Sequence, residues 1–164
     1  MERNWETHLK ALASTDQPGA ALESLCAIIQ EQVGAPLFTV MIHDRPNGRA
    51  LRVYSNRDDV YPAKGWKPVV PTRYSRTVLD QHQPYINRNI DGIREVFFDH
   101  ELIQSLGCES SCHVPVIVEG TILGVFNMLN VENHYTPERL QRALDLRPFA
   151  IGPLFLARKH HLAA

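Results

Sequence analysis

Cys108, Cys112 and His113 stand within six consecutive positions, and His100 lies a short distance upstream. Thiolates and imidazoles are zinc ligands, so this group is the first candidate for chemistry. Its spacing departs from the paired Cys-x2-Cys dyads of structural zinc sites, and on a strand His113 points away from Cys112. No metal and no cofactor are expected here. Thiol redox chemistry is the stronger rival, because it needs one accessible cysteine of depressed pKa rather than a ligand cage. Asp99-His100-Glu101 is the most reactive-looking triplet. Asp99 suits a helix N-cap, while His100 and Glu101 could face solvent or close a pocket. A third set, Tyr54, Tyr61, Trp66, Arg73, Tyr74 and Arg88, offers polar aromatic edges and cations suited to a carboxylate or phosphate.

Composition narrows what these groups could act on. The chain has 164 residues, 17 Lys and Arg against 18 Asp and Glu, and a formal charge of -1. Binding a nucleic acid duplex calls for a clustered basic face, and these charges are scattered. The nearest approach to a basic run, Arg158-Lys159-His160-His161, suits the negative end of a terminal helix. No stretch approaches the roughly 20 apolar residues that span a bilayer. The opening Met1-Glu2-Arg3-Asn4-Trp5-Glu6 carries no apolar signal-peptide core. Three cysteines, an odd number, make no disulfide framework. The expectation is one stand-alone domain over residues 1–164 in a reducing, bacterial cytoplasm, with neither nucleic acid nor membrane as partner.

The elements that must position these groups follow from periodicity and breakers. Asn4 to Ala13 reads as a short helix, and Asp16 is expected to cap a second with Pro18 in its first turn. That second helix carries Leu22, Leu25, Cys26, Ile29 and Val33 on one face and stops at Gly34 and Pro36. Leu37 to His43 and Leu51 to Ser55 form a hairpin around Asp44-Arg45-Pro46-Asn47-Gly48. Residues 56–72, with Pro62, Gly65, Pro68 and Pro71, read as loop. A helix over 72–81, an extended piece at Pro84 to Ile86 and a helix from Asp99 to Leu106, closed by Gly107, complete the middle. Ser111 to Val118 and Thr121 to Asn130 are strands joined by the tight turn Glu119-Gly120. Thr136 caps a C-terminal helix with Pro137 at its first position, and Pro148 and Pro153 must kink or divide it. The terminal helices thus cover about 4–33 and 137–160. The result is an α/β chain of the α+β kind, with an antiparallel sheet flanked by helices from both ends.

Counting outward from Glu119-Gly120 pairs Val118 with Thr121, Val116 with Leu123, Val114 with Val125 and Cys112 with Asn127. One sheet face then carries Cys112, Val114, Val116, Leu123, Val125, Asn127 and Leu129. The other carries His113, Pro115, Ile117, Ile122, Gly124, Phe126 and Met128. Gly124 lets a helix approach closely, so its face is assigned to the terminal helices. The Cys112, Asn127 and Leu129 face is then left to the middle segment. There Asn127 is expected at a pocket floor, with its amide able to donate and accept.

The segment from Leu102 to Asn130, with Leu106-Gly107, Val114-Pro115, Glu119-Gly120 and Gly124-Val125 in register, resembles the C-terminal signature of GAF domains. Ser55-Asn56-Arg57-Asp58-Asp59-Val60-Tyr61-Pro62 and Phe97-Phe98-Asp99-His100-Glu101-Leu102-Ile103 are similar to a group of proteobacterial single-domain GAF proteins. The resemblance implies a GAF/PAS-like sheet, terminal helices on one face, and a ligand pocket under short helices on the other. It implies a sensor of a small molecule, such as a cyclic nucleotide, tetrapyrrole, 2-oxo acid or redox species, often dimeric through terminal helices. The candidate ligand-binding residues are Asn127, Cys112, Leu129, Tyr54, Tyr61, Trp66, Arg73, Tyr74, Asp99 and His100, and none is assigned a catalytic role. Free methionine sulfoxide reductases are an enzymatic alternative within the same family. Where that resemblance implies pocket carboxylates this chain has Asn127, Leu129 and Ser111, and the middle cysteines are absent. A third alternative is a dimeric interaction module joined through Leu22, Leu25, Ile29, Leu140, Ala143, Leu144, Ile151, Leu154 and Phe155, with no ligand.

Overall fold

A computed structural model describes residues 2–162. Residues 1, 163 and 164, which the expected single domain includes, lie outside the described residues. Helix α1 (Glu2–Leu12) leads to α2 (Gly19–Gln32), then to the hairpin β1 (Leu37–Asp44) and β2 (Arg49–Ser55). The middle holds β3 (Lys67–Pro68), α3 (Arg73–Ser75) continuing into a π-helical turn (Arg76–Asp80), β4 (Tyr85–Asn87), α4 (Ile90–Val96) and α5 (His100–Ser105). The hairpin β5 (Ser110–Val118) and β6 (Thr121–Asn130) follows, then α6 (Pro137–Asp145) and α7 (Arg147–Leu162). All strand pairs are antiparallel, in the order β3-β2-β1-β6-β5-β4. No described helix is long and apolar enough to cross a membrane.

One sheet face packs on α2, α6 and α7. Leu22, Leu25, Cys26 and Ile29 of α2 and Val33 at its C-cap are buried there with Phe38, Val40, Ile42, Val114, Val116, Phe126 and Met128. Each fully buried Leu or Ile contributes about 1.5–3 kcal/mol, which makes this the principal core. Asp16 does not cap α2: Pro18 holds the cap position, and no side chain bonds the helix start. Thr136 does cap α6, accepting from Arg139 N. The division forced by the prolines falls at Leu146, between α6 and α7. Pro148 then sits in the first turn of α7, where a missing N–H costs least, and Pro153 lies within the helix. Helix α4 was not anticipated, because Gly92 interrupts it. Asn89 caps it by accepting from Gly92 N, and an Asn before a short apolar stretch was the available sign.

The β5–β6 hairpin carries the largest departure from expectation. Glu119 and Gly120 both have positive φ, 50° and 67°, as a type I′ turn requires. Val118 pairs with Thr121 and Ile117 with Ile122, but Val116 pairs with Gly124, leaving Leu123 as a β-bulge. Beyond the bulge every partner shifts by one: Val114 faces Phe126, His113 faces Asn127, and Cys112 faces Met128. Because side chains alternate with period two, the slip moves the inner half of β5 to the opposite face from that expected. Cys112 therefore joins the helix-covered core, and His113 takes its place beside Asn127. The unpaired Leu123 carbonyl accepts from Arg158 Nη1, which also donates to the His43 carbonyl. Helix α7 thus pins the bulge from outside.

Gly124 faces the helices as its lack of a side chain suggests. A Cβ there would lie 2.4 Å from Leu154 Cδ2 and 2.4 Å from the Met41 carbonyl oxygen. Gly124→Ala is expected to destabilise the fold by about 1–3 kcal/mol in urea unfolding. Most of that cost should persist in a Leu154→Ala background, because the Met41 backbone cannot retreat as a side chain can. A loss below 0.5 kcal/mol, on the order of a surface change, would show the approach to be loose.

Candidate functional site

The face opposite the helices carries Thr39, Met41 and His43 from β1, Ala50 and Arg52 from β2, His113 from β5, and Asn127 and Leu129 from β6. A bulge between Val40 and Met41, in the β1–β2 pairing, sets Arg52 on this face and Tyr54 on the other. Over these strands lie Tyr61, residues 67–70, Tyr74, Leu79, Val96, Phe97, Phe98, Asp99 and Ile103. Between floor and roof is a cavity of about 210 Å³. Its lining is mainly apolar, with polar groups at a few fixed points.

The polar groups of the floor form a continuous buried chain. Asn87 Nδ2 donates to Ser111 Oγ at 2.9 Å, and Ser111 Oγ meets His113 Nε2 at 2.8 Å. His113 Nδ1 lies 2.7 Å from Asn127 Oδ1, and Asn127 Nδ2 donates to Thr39 Oγ1 at 3.1 Å. Since Asn127 uses its NH2 on Thr39, its carbonyl oxygen must accept, so His113 carries its proton on Nδ1. Ser111, already accepting from Asn87, donates to the bare Nε2. Every member is satisfied and His113 is neutral. Burial among Tyr74, Tyr85 and Phe97 lowers its pKa to about 4, against a smaller upward pull from the Asn127 bond.

The chain ends at Thr39, whose hydroxyl proton is not needed to accept from Asn127. Farther along the floor, His43 is also held neutral, with its pKa near 4, by burial first and then by the charges of Arg45 and Arg158. Its Nδ1 is buried without a partner. Arg52 rests over the Tyr61 ring, with its guanidinium carbon 3.8 Å from the centroid, and donates through Nη1 to the Pro62 carbonyl at 2.9 Å. Its Nε is buried and unpartnered. The Tyr61 hydroxyl in turn donates to Asp99 Oδ2 at 2.5 Å. Asp99 occupies the cap position of α5 but makes no cap bond, its side chain being turned to Tyr61.

Of the residues singled out in the sequence, Asn127, Leu129, Tyr61, Tyr74 and Asp99 line this cavity. Cys112 does not, because the Leu123 bulge turns it into the helix-covered core. Tyr54 lies on the same covered face against Phe38, with ring centroids 6.1 Å apart. Trp66 stacks under Arg49 outside the cavity, and Arg73 and Arg88 are exposed. His100 opens α5 half-buried, away from the lining, with Nδ1 unpartnered. Arg52, His43, Thr39 and His113 were missed as cavity residues. The alternation Thr39-Met41-His43 along β1 was a readable sign for two of them, whereas Arg52 and His113 depend on bulges.

The thiols stand apart from this cavity. Cys26 and Cys112 are buried in the core under the helices, and Cys108 packs with Leu37, Ile93 and Ile103. Burial raises the Cys112 pKa to about 12 and raises that of Cys108 as well. No cluster of three or more metal-ligating side chains is formed among the described residues.

An antiparallel sheet with terminal helices on one face and a cavity under short helices on the other defines one class of α+β domain. The GAF domain family model matches residues 17–146, and the chain belongs to that family. It is similar to the GAF domain of a phosphoenolpyruvate-protein phosphotransferase from Coxiella burnetii, at 14% identity and TM-score 0.70, covering 98% of this chain and 95% of that one. The GAF domain of a two-component sensor histidine kinase from Bacillus halodurans is similar at 12% identity and TM-score 0.68, covering 92% and 99%. The free methionine-R-sulfoxide reductase from Neisseria meningitidis, in complex with its substrate, is similar at 12% and TM-score 0.67, covering 96% and 89%. At these identities the likeness is one of fold. No curated protein matches the sequence.

The two neutral histidines set an acid dependence. Their folded pKa values near 4 lie below the ordinary 6.5, so the unfolded chain binds more protons. Their contribution is therefore complete above pH 6.5 and is lost as pH falls from 6.5 towards 4, at roughly 3 kcal/mol for each. Urea unfolding of His113→Gln across that window should show a loss smaller by about that amount than in the unaltered chain. Parallel curves would mean that His113 is not held neutral.

Proposed function

We propose that this GAF domain is a regulatory sensor that binds a small molecule in the cavity and catalyses no reaction on it. The observation that carries the reading is a cavity of about 210 Å³ with a mainly apolar lining, into whose wall the sheet sets Arg52, His43, His113 and Asn127 as fixed polar groups. A concave, mainly apolar pocket with a few fixed polar groups is the usual form of a small-molecule site. The likeness to sensor domains, and to a reductase holding its substrate, supports binding as the common property. Thiol catalysis is the poorer fit. A nucleophilic cysteine requires exposure and a depressed pKa, whereas these thiols are buried and the shifts at Cys108 and Cys112 are upward.

A metabolite at 100 times its Kd adds about 2.7 kcal/mol to stability and raises the melting temperature of a domain this size by roughly 5–10 °C. A melt across a metabolite library should find such a compound, and no thiol-dependent reduction of methionine sulfoxide should be detectable. Turnover of the sulfoxide that depends on Cys108 or Cys112 would reverse the assignment.

The same reading includes a homodimer in the cytoplasm, joined through the terminal helices. Leu9 of α1 and Ile151 and Phe155 of α7 are exposed, and Phe155 leaves 62% of its surface uncovered. Phe155 and Ile151 stand one helical turn apart, so together they offer a single apolar stripe. Sedimentation should give a dimer that Ile151→Glu with Phe155→Glu converts to monomer. A monomer in the unaltered chain would remove this part of the proposal.

A further inference from the structure

We infer that the ligand is a small organic carboxylate of about ten non-hydrogen atoms, with its anionic group received by Arg52 and its body by the apolar lining. The inference rests on the small-molecule reading above and narrows it to one chemical class.

Size gives the first limit. A cavity of 150 Å³ is enough to hold benzene, and this one measures about 210 Å³. That leaves room for a benzene-sized body and one further group. A nucleotide, whose base, sugar and phosphate would each claim a comparable share, would have to extend through the mouth into solvent.

Charge gives the second. Arg52 takes part in none of the four ion pairs found among the described residues, which join Arg45 to Asp80, Arg49 to Asp44, Arg57 to Asp59 and Arg94 to Asp91. Arg49, on the same strand, has its carboxylate and Arg52 does not. Asp99, the one acidic side chain of the lining, is engaged by the Tyr61 hydroxyl instead. A guanidinium that lines a cavity and has no carboxylate paired with it lacks its charge complement, and a carboxylate is a group its planar fork fits. Lys67, exposed at the mouth beside Phe98, adds attraction without geometry. A doubly charged phosphate would exceed what Arg52 alone neutralises, since Lys67 stays exposed to solvent at the mouth.

The mounting of Arg52 gives the third. Asp99 holds Tyr61 by its hydroxyl, the Tyr61 ring carries the guanidinium, and the Pro62 carbonyl fixes Nη1. An arginine that served only solvation would have no use for three supports. Held this way, little side-chain entropy remains to be lost on binding. Met41, Leu79, Val96, Phe97 and Leu129 form the apolar remainder. Asp99 and Tyr61 are positioning residues in this scheme.

The test compares acids with their neutral isosteres by calorimetry on the full chain. Benzoate and 4-methylpentanoate are set against benzamide and 4-methylpentanamide. At least one acid should bind, and its amide should bind at least tenfold more weakly. Arg52→Gln should lose tenfold or more of the affinity for that acid and leave the amide unaffected. Arg52→Lys should retain part of it, and Tyr61→Phe should weaken it several-fold while the ligand-free melting temperature moves little. Amides that bind as well as acids, or acids that bind Arg52→Gln unchanged, overturn the carboxylate assignment and leave the small-molecule cavity standing. Failure of both acids to bind also overturns the assignment. If the amides and benzene fail to bind as well, the cavity reading falls with it. The acid-against-amide comparison needs no variant, so the inference stays open to refutation even if Arg52→Gln does not fold.

Discussion

The register of β5 against β6 is the constraint on which the rest of the molecule depends. With Leu123 held out of the ladder, Val116 falls opposite Gly124 and His113 opposite Asn127. The first pairing lets Leu154 of α7 descend onto the sheet. The second aligns an imidazole with an amide on the face away from the helices. One unpaired residue thus determines both how closely the helices pack and what chemistry lies under the middle segment. Arg158 secures it by spanning the carbonyls of His43 and Leu123, which ties α7 to β1 and β6 at once. A slip of one position would put Cys112 in the cavity and bury His113 under the helices, each in the worse environment.

The floor shows why a polar chain can be buried without loss. Its five side chains pass donors and acceptors along in one direction, from Asn87 through Ser111, His113 and Asn127 to Thr39. No member carries charge, so burial costs only desolvation that the hydrogen bonds repay. Replacing any one would strand its neighbours, and this makes the floor rigid. A rigid floor suits recognition, because the groups that meet a ligand do not have to be ordered at the moment of binding.

Much of the architecture was legible in the sequence because it rests on local rules. The α2 stripe, the Thr136-Pro137 helix start, and the Glu119-Gly120 turn each follow from residue chemistry within a few positions. Asn127 and Leu129 were placed on the cavity face by alternation from Gly124, which marks the helix face and lies beyond the bulge. What was not legible is the bulge at Leu123. A bulge is settled by what approaches the sheet from outside, here Leu154 and Arg158, more than 25 residues away along the chain. That non-local cause moved Cys112 to the wrong face and hid His113. The corresponding irregularity in β2 hid Arg52 and misplaced Tyr54. Asp99 shows a competition of another kind: its cap position was read correctly, but Tyr61, 38 residues earlier, takes the carboxylate instead.

That exchange at Asp99 bears on how the cavity handles charge. A capped α5 would have left the Tyr61 hydroxyl without its acceptor and Arg52 standing on an unanchored ring. Giving up a cap costs on the order of 1 kcal/mol, and α5 is a helix of only six residues that packing through Ile103 already holds. The short charge-assisted bond to Tyr61 returns at least as much. The trade spends local helix stability to hold the Arg52 cation in a cavity that would otherwise let it swing out to solvent. Such an arrangement makes sense for a protein in which the position of that guanidinium matters more than the stability of the helix beside it.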